Sequence, residues 1–292
     1  MFGIIGLSSA KGDIARAGKV GRKSGEAACP LDCRKRCEIR NRQLHQVSCS
    51  CCVDHIDIFL LIYSHTTPDI CIHVSPTELC PFMPCFLGLL KEDDLAVKNV
   101  ALLMVYSAVH HTPQLVVPYV KDLILPQIEE LAQLNMERKI DLGPFKHTVD
   151  DALPLRKAAL SVFATCLEKC PASLDIPAFM PVIAKALADV EDIQLQSHHI
   201  VLAMCSRYPG YVVAAADSFV VPLEKTVNKK KGQKTGTELE RVHEWIKSGL
   251  RVMIAISKLD GTMTHRPFAE FVDRINNSSQ HQVFLRAVED ES

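Results

Sequence analysis

Leu155-Arg156-Lys157-Ala158-Ala159 is the clearest copy of a short pattern on which the fold turns. The pattern is an apolar residue, a cation, two further residues, then a small or apolar one. It also opens Val97-Lys98-Asn99-Val100-Ala101, weakens at Leu195-Gln196-Ser197-His198-His199 and returns at Leu250-Arg251-Val252-Met253-Ile254. First residues of successive copies lie 58, 40 and 55 positions apart. Helix-pair repeats of the HEAT type run about 40 to 47 residues, so the middle step fits directly. The other two steps are long by 18 and 15. One excess matches Glu137 to Asp151 with its flanks, the other the lysine stretch from Asn228 to Thr237. Inserts between repeats belong on the surface of a solenoid. A chance match of loose patterns in a closed bundle is the alternative, and the placement of both inserts favours the solenoid.

Helical apolar spacing surrounds these copies. It predicts helices over Asp94–His110, Pro113–Leu134, Leu155–Cys170, Ile176–Val190, Ile193–Tyr208, Tyr211–Val227, Glu238–Leu259 and Pro267–Val288. Asp94, Thr112-Pro113, Asp192 and Arg266-Pro267 read as starts, Gly210 and Gly261 as breaks. The expectation is an all-α solenoid of about four helix pairs over residues 86–292, with one inserted β-hairpin. Only Phe86 to Leu90 precedes the first pair, which suggests that neighbouring repeats would extend it. The closing Glu289-Asp290-Glu291-Ser292 is polar enough to end a stack.

Residues 1–85 have no sustained period. Nine of the chain's 12 cysteines lie there, at Cys29, Cys33, Cys37, Cys49, Cys51, Cys52, Cys71, Cys80 and Cys85. The spacings Cys29-x3-Cys33-x3-Cys37 and Cys49-x-Cys51-Cys52 could suggest a metal site. Zinc modules usually show paired C-x2-4-C knuckles at a defined separation, which are missing, so no metal or cofactor is expected. The segment reads as a disordered or aberrant leader. Its start, MFGIIGLSSA, has no basic n-region of a secretory signal. Ile56 to Tyr63 is far shorter than the roughly 20 apolar residues of a membrane span. Cys166, Cys170 and Cys205 sit in helical stretches and read as core thiols of a cytosolic or nuclear protein. Net charge is −1, which gives no general reason to expect nucleic-acid or membrane binding.

Glu137 to Asp151, ERKIDLGPFKHTVDD, breaks the helical period. Gly143-Pro144 suits a two-residue turn with Gly at the first central position. Folding there sets Leu142 opposite Phe145, Asp141 opposite Lys146, Ile140 opposite His147 and Lys139 opposite Thr148. Ile140, Leu142, Phe145 and His147 share one face, while Asp141 and Lys146 form a complementary cross-strand pair. The hairpin either lies on the neighbouring helices or projects as a recognition element, since long inserts on rigid scaffolds often carry function.

GPFKHTVDD followed closely by LRKAAL, with FLGLLKEDDLAVKNVAL, SAVHHTPQLV and FVVPLEKT, resembles a known family. It is the C-terminal TATA-binding-protein-interacting domain of the cullin-associated NEDD8-dissociated proteins, and the resemblance covers Phe86 to Val288. It implies a long HEAT solenoid around an unneddylated cullin, with this end near the cullin's N-terminal region. It also implies that Glu137 to Asp150 is a hairpin competing with the substrate-receptor adaptor. Its contacting residues would be Ile140, Asp141, Leu142, Gly143, Pro144, Phe145, Lys146, His147 and Thr148. The implied role is non-enzymatic regulation of cullin-RING ubiquitin-ligase assembly in cytoplasm and nucleus. A transcription-associated module binding the TATA-binding protein is the rival reading, and a truncated inactive product a third. Gln196 and His199 depart from the repeat pattern.

His147, Asp150 and Asp151 could be drawn as an acid–base cluster, but no nucleophile, phosphate loop or cofactor fingerprint accompanies them. The two aspartates read instead as favouring the positive end of the helix entered at Pro154. His110-His111 and His198-His199 occupy consecutive helical positions about 100° apart, so neither pair readily chelates one metal. Lys229, Lys230, Lys231 and Lys234 read as a solvated loop rather than an import signal. Trp245 reads as core.

Overall fold

The computed structural model describes residues 83–142, 145–229 and 235–290, without the side chains of Cys85 and Ile140 to His147. The leader expected over 1–85 therefore lies outside the described residues, apart from its last three. Those open α1 (Met83–Gly88), the first helix among the described residues, which starts before the expected boundary at Phe86. With the 3-10 turn Leu89–Lys91 it brings Phe86 and Leu90 into the core.

Over the described residues the fold is an all-α, HEAT-like solenoid with one inserted hairpin. A row of long helices comprises α2 (Leu95–His111), α5 (Leu153–Lys169), α7 (Glu191–Arg207) and α9 (Thr237–Ser257). Each packs on the next. A second row holds α3 (Pro113–Tyr119), α4 (Leu125–Leu131), α6 (Ile176–Ala186), α8 (Pro209–Val227) and α10 (Arg266–Asn276). The last helix, α11 (Ser279–Asp290), folds back against α9 and extends the long row.

Three local expectations change. The helix expected over Pro113–Leu134 is α3 and α4 joined by a π-helical stretch at Val120–Ile124. Pro126 lacks an amide proton and its ring crowds the carbonyl four residues back, at Asp122 within that stretch. The helix expected over Pro267–Val288 divides at Asn277-Ser278, where Ser278 accepts the His281 amide through its carbonyl and holds the His281 ring through its hydroxyl. The break expected at Gly210 falls at Tyr208-Pro209, leaving Gly210 in the first turn of α8. Gly261 does break the chain after α9, in the left-handed region at φ 86°.

Three closing turns of the long row are conformational copies. Thr112, Cys170 and Tyr208 have φ of −139°, −138° and −137° and ψ of 63°, 53° and 50°, and each precedes a proline. A following proline keeps its predecessor out of the helical region, so every copy ends its helix at the same place. These turns are 58 and 38 residues apart.

Burial gives the same spacing. In α5, Leu155, Arg156, Ala159, Leu160, Val162, Phe163, Cys166 and Leu167 are buried. Moving on by 38 lands on the buried set of α7, from Ile193 and Gln194 to Met204 and Cys205. A further 52 lands on Trp245, Ile246, Gly249, Leu250, Val252, Met253 and Ile256 of α9. The repeats therefore step by 58, 38 and 52, and Ile193 and Trp245 occupy the place of Leu155. Leu195 is only half-buried, and Leu250 is buried at the place of Leu160. The five-residue pattern could slide because several residues of each helix satisfy it.

Candidate functional site: the hairpin and its neck

Glu137–Leu142 (β1) and Phe145–Asp150 (β2) pair antiparallel, from Glu137 opposite Asp150 to Leu142 opposite Phe145. Asp141 stands opposite Lys146, Ile140 opposite His147 and Lys139 opposite Thr148, the register read from the sequence. Gly143 and Pro144 lie outside the described residues, as do the side chains of Ile140 to His147. Nearer the neck, Glu137, Arg138, Lys139 and Thr148 are exposed, and Val149 and Asp150 half-buried.

A set of polar bonds closes the neck. The Asp151 amide donates to the Met136 carbonyl at 3.2 Å. Asp150 Oδ1 accepts from the Met136 amide at 3.2 Å and the Ala152 amide at 3.0 Å, bridging the two roots. Arg138 pairs with Asp151 at 2.6 Å on the surface. Asp150 and Asp151 thus act as clasp residues, and Asp150 does so from the start of α5, where it accepts the amide of the N-cap residue Ala152.

Arg156 is the hub, with 4% of its side chain exposed. It donates to the Leu134 carbonyl at 2.9 Å, to Asp150 Oδ2 at 2.5 Å and to Asp189 Oδ1 at 3.1 Å. Its Nε also faces Asp189 Oδ2 in an ion pair at 2.9 Å. A buried guanidinium needs such carboxylates, because desolvating the charge alone costs several kcal/mol. Desolvation raises the Asp150 pKa, but the Arg156 hydrogen bond and the two amide bonds outweigh it and hold the carboxyl below its ordinary 3.8.

The polar line continues past the neck. Gln194 stands 38 residues after Arg156, in the same place one repeat on, and donates to the Asp189 carbonyl at 2.8 Å. Its Oε1 accepts from Trp245 Nε1 and from Thr226. Trp245 is buried, as expected for core, and Lys229 lies over its ring at 4.3 Å. Lys230, Lys231 and Lys234 lie outside the described residues. Asp192, expected as a cap, sits in the first turn of α7 and pairs with Lys157 at 2.9 Å.

Sequence reasoning found the hairpin and missed the hub. Its signal was present: a cation at the second place of the pattern, on an otherwise apolar face, directly after an insert ending in Asp-Asp. His198 is buried and His199 exposed, so that pair does part across the helix as its spacing requires. Cys166, Cys170 and Cys205 are buried thiols, as read. Among the described residues no group of three His, Cys, Asp or Glu could hold a metal, and no single helix is long and apolar enough to cross a membrane.

Stacked helix pairs with an inserted ribbon on a clamped neck define a helical-repeat scaffold. A family described as TATA-binding protein interacting (TIP20) matches residues 115–276, from α3 through the hairpin to α10, and the chain belongs to that family. It is 32% identical over 185 residues to cullin-associated NEDD8-dissociated protein 1 of Arabidopsis thaliana, covering 62% of this chain and 15% of that one. Over 220 residues it is 29% identical to cullin-associated NEDD8-dissociated protein 2 of Rattus norvegicus, covering 74% of this chain and 17% of that one. Over 213 residues it is 29% identical to protein 1 of Drosophila melanogaster, covering 71% of this chain and 17% of that one. The chain spans 15 to 17% of the length of these relatives.

Proposed function

We propose that this chain is a non-enzymatic, cullin-binding scaffold that regulates assembly of cullin-RING ubiquitin ligases in the cytoplasm and nucleus. The observation that carries the reading is a hairpin with exposed strand residues on a clamped neck, in a chain whose relatives are named cullin-associated. Ile140 to Thr148 are the contacting residues, against the N-terminal region of the cullin. The hairpin occupies or distorts the site of the substrate-receptor adaptor. Adaptor and scaffold then weaken each other's affinity by the same factor, as linkage requires.

Phe145→Ala tests this. Apolar burial at a partner supplies roughly 1.5 to 3 kcal/mol for a residue of this size. Cullin binding should weaken by about 1 kcal/mol or more, and competition with the adaptor should fall, at an unchanged melting temperature. A clear drop in melting temperature with competition intact would make the hairpin a structural loop.

The family's description favours a second reading, an interaction module for the TATA-binding protein. Direct titration of this chain with purified TATA-binding protein decides it: saturable binding that Phe145→Ala removes, with no cullin binding, supports that reading over the first.

A further inference from the structure

We infer that Arg156 is a positioning residue that sets the direction of the hairpin relative to the repeat stack, so that the hairpin meets its partner as a stiff arm. Closing the neck does not require Arg156, because the Asp151 amide and the Asp150 carboxylate already join Met136, Asp150 and Ala152. Closure alone leaves a two-stranded ribbon free to swing about its roots. The guanidinium removes that freedom. It grips Leu134 before the hairpin and Asp150 after it. Through Nη2 it donates to Asp189, in the turn between α6 and α7 of the following repeat, and its Nε lies in an ion pair with the same carboxylate at 2.9 Å.

Three anchor points on a planar, forked cation define an orientation, which a single contact cannot. The far anchor is itself fixed. Asp189 Oδ1 accepts the Val190 amide at 2.6 Å, and the Asp189 carbonyl accepts from Gln194 at 2.8 Å. The hairpin is therefore referenced to the seam between two repeats rather than to its own repeat alone. A pre-oriented arm loses less conformational entropy when it docks than a swinging one. The value of this for binding rests on the hairpin being the partner-contacting element. The stiffness itself does not.

The test is residual dipolar coupling of backbone amides in the full chain, without any partner. In the wild type, couplings from Arg138, Lys139, Thr148 and Val149 should fit the same alignment tensor as those of α5 and α7. Asp189→Asn keeps an acceptor for the Val190 amide but withdraws the carboxylate from Arg156, and Arg156→Lys replaces the fork by a point charge. Both should lower the alignment of the hairpin amides while α5 and α7 keep theirs, and wild-type alignment in either variant overturns the proposal. A wild-type hairpin that aligns separately from the helices overturns it too, even if neither variant folds. In a second arm, Asp189→Asn should weaken cullin binding about tenfold through lost pre-organisation. A chain that binds no cullin at all refutes the proposed function and leaves the alignment result standing.

Discussion

Trp245 donates its indole N–H to Oε1 of Gln194 at 2.8 Å, across the seam between α7 and α9. The same oxygen takes the Thr226 hydroxyl at 3.1 Å, so one buried amide joins α7, α8 and α9. One repeat earlier, the corresponding place holds Arg156 with two carboxylates. The stack thus uses a charged hub at the hairpin seam and a neutral one at the next. A neutral hub escapes much of the desolvation cost of a buried ion.

Gln194→Leu should destabilise the fold. It leaves the indole N–H and the Asp189 carbonyl unpaired, and a buried polar group without a partner costs about 1 to 3 kcal/mol. Trp245→Phe removes the donor but also some packed area, and costs a comparable amount. In the double variant the unpaired indole is gone, so the combined loss should be smaller than the sum of the singles. Urea denaturation of the four proteins measures this. Strict additivity would mean that the two residues do not share a hydrogen bond in solution.

The register can be tested in α7 alone. Ile193, at the place of Leu155, is fully buried, whereas Leu195 is half-buried. Ile193→Ala and Leu155→Ala should each cost about 2 to 5 kcal/mol as core truncations. Leu195→Ala should cost distinctly less, because part of its side chain already faces water. A Leu195→Ala loss as large as that of Ile193→Ala would restore the spacing of 40.

That contrast shows what the sequence made legible. Helix existence was readable because apolar residues recur at the helical period over many turns, from Leu95 to Val288. The hairpin was readable because alternation around Gly143-Pro144 is unlike anything beside it. The exact register was not, since the outward residue two places after Ile193 is also apolar, and a short pattern cannot tell Leu195 from Ile193. The π stretch and the bend at Asn277-Ser278 were missed for another reason. They depend on Pro126 and Ser278 acting on backbone groups, and an apolar period carries no trace of that. The Arg156 cation and the nearby Asp150 were visible, but the hub they form was not, because its other partners Leu134 and Asp189 lie 22 and 33 residues away along the chain.

His198 makes stability depend on pH. Burial first, and then the neighbouring His199 charge, lower its pKa from 6.5 to about 4. Its Nδ1 is 2.9 Å from the Ser248 hydroxyl. The folded chain holds the ring neutral where the unfolded chain protonates it. Its contribution is therefore complete above pH 6.5 and is lost progressively as pH falls towards about 4. Over that window the loss amounts to about 3 kcal/mol, taking 1.36 kcal/mol per pKa unit. His198→Gln keeps a polar group near Ser248 and removes the titration. Unfolding free energy measured at pH 7 and pH 4.5 should fall less in the variant than in the wild type. Equal falls would mean that His198 is protonated in the folded state.

Gly249 sets a smaller balance, in which two effects of similar size oppose. It lies in the interior of α9, where replacing Gly by Ala normally stabilises a helix by about 1 kcal/mol. A β-carbon there would come within 3.1 Å of Thr226 Cγ2 and 3.3 Å of Val227 Cγ1. Those neighbours must retreat by a few tenths of an ångström, and Thr226 is poorly able to do so. Its hydroxyl is directed at Gln194 Oε1 at 3.1 Å and the Pro222 carbonyl at 3.0 Å, so moving its methyl group strains the hub that also holds Trp245. Overpacking of a closed contact costs about 1 to 3 kcal/mol. Gly249→Ala should therefore lower stability slightly, against the helix-propensity trend, and Gly249→Val should lower it severely. Thr226→Ser removes the crowding methyl and keeps the hydroxyl, so Gly249→Ala should become neutral or stabilising in that background. Urea midpoints for the pair of variants, alone and combined, measure the reversal. If Gly249→Ala stabilises the chain with Thr226 intact, α8 and α9 do not approach as closely as the structure shows.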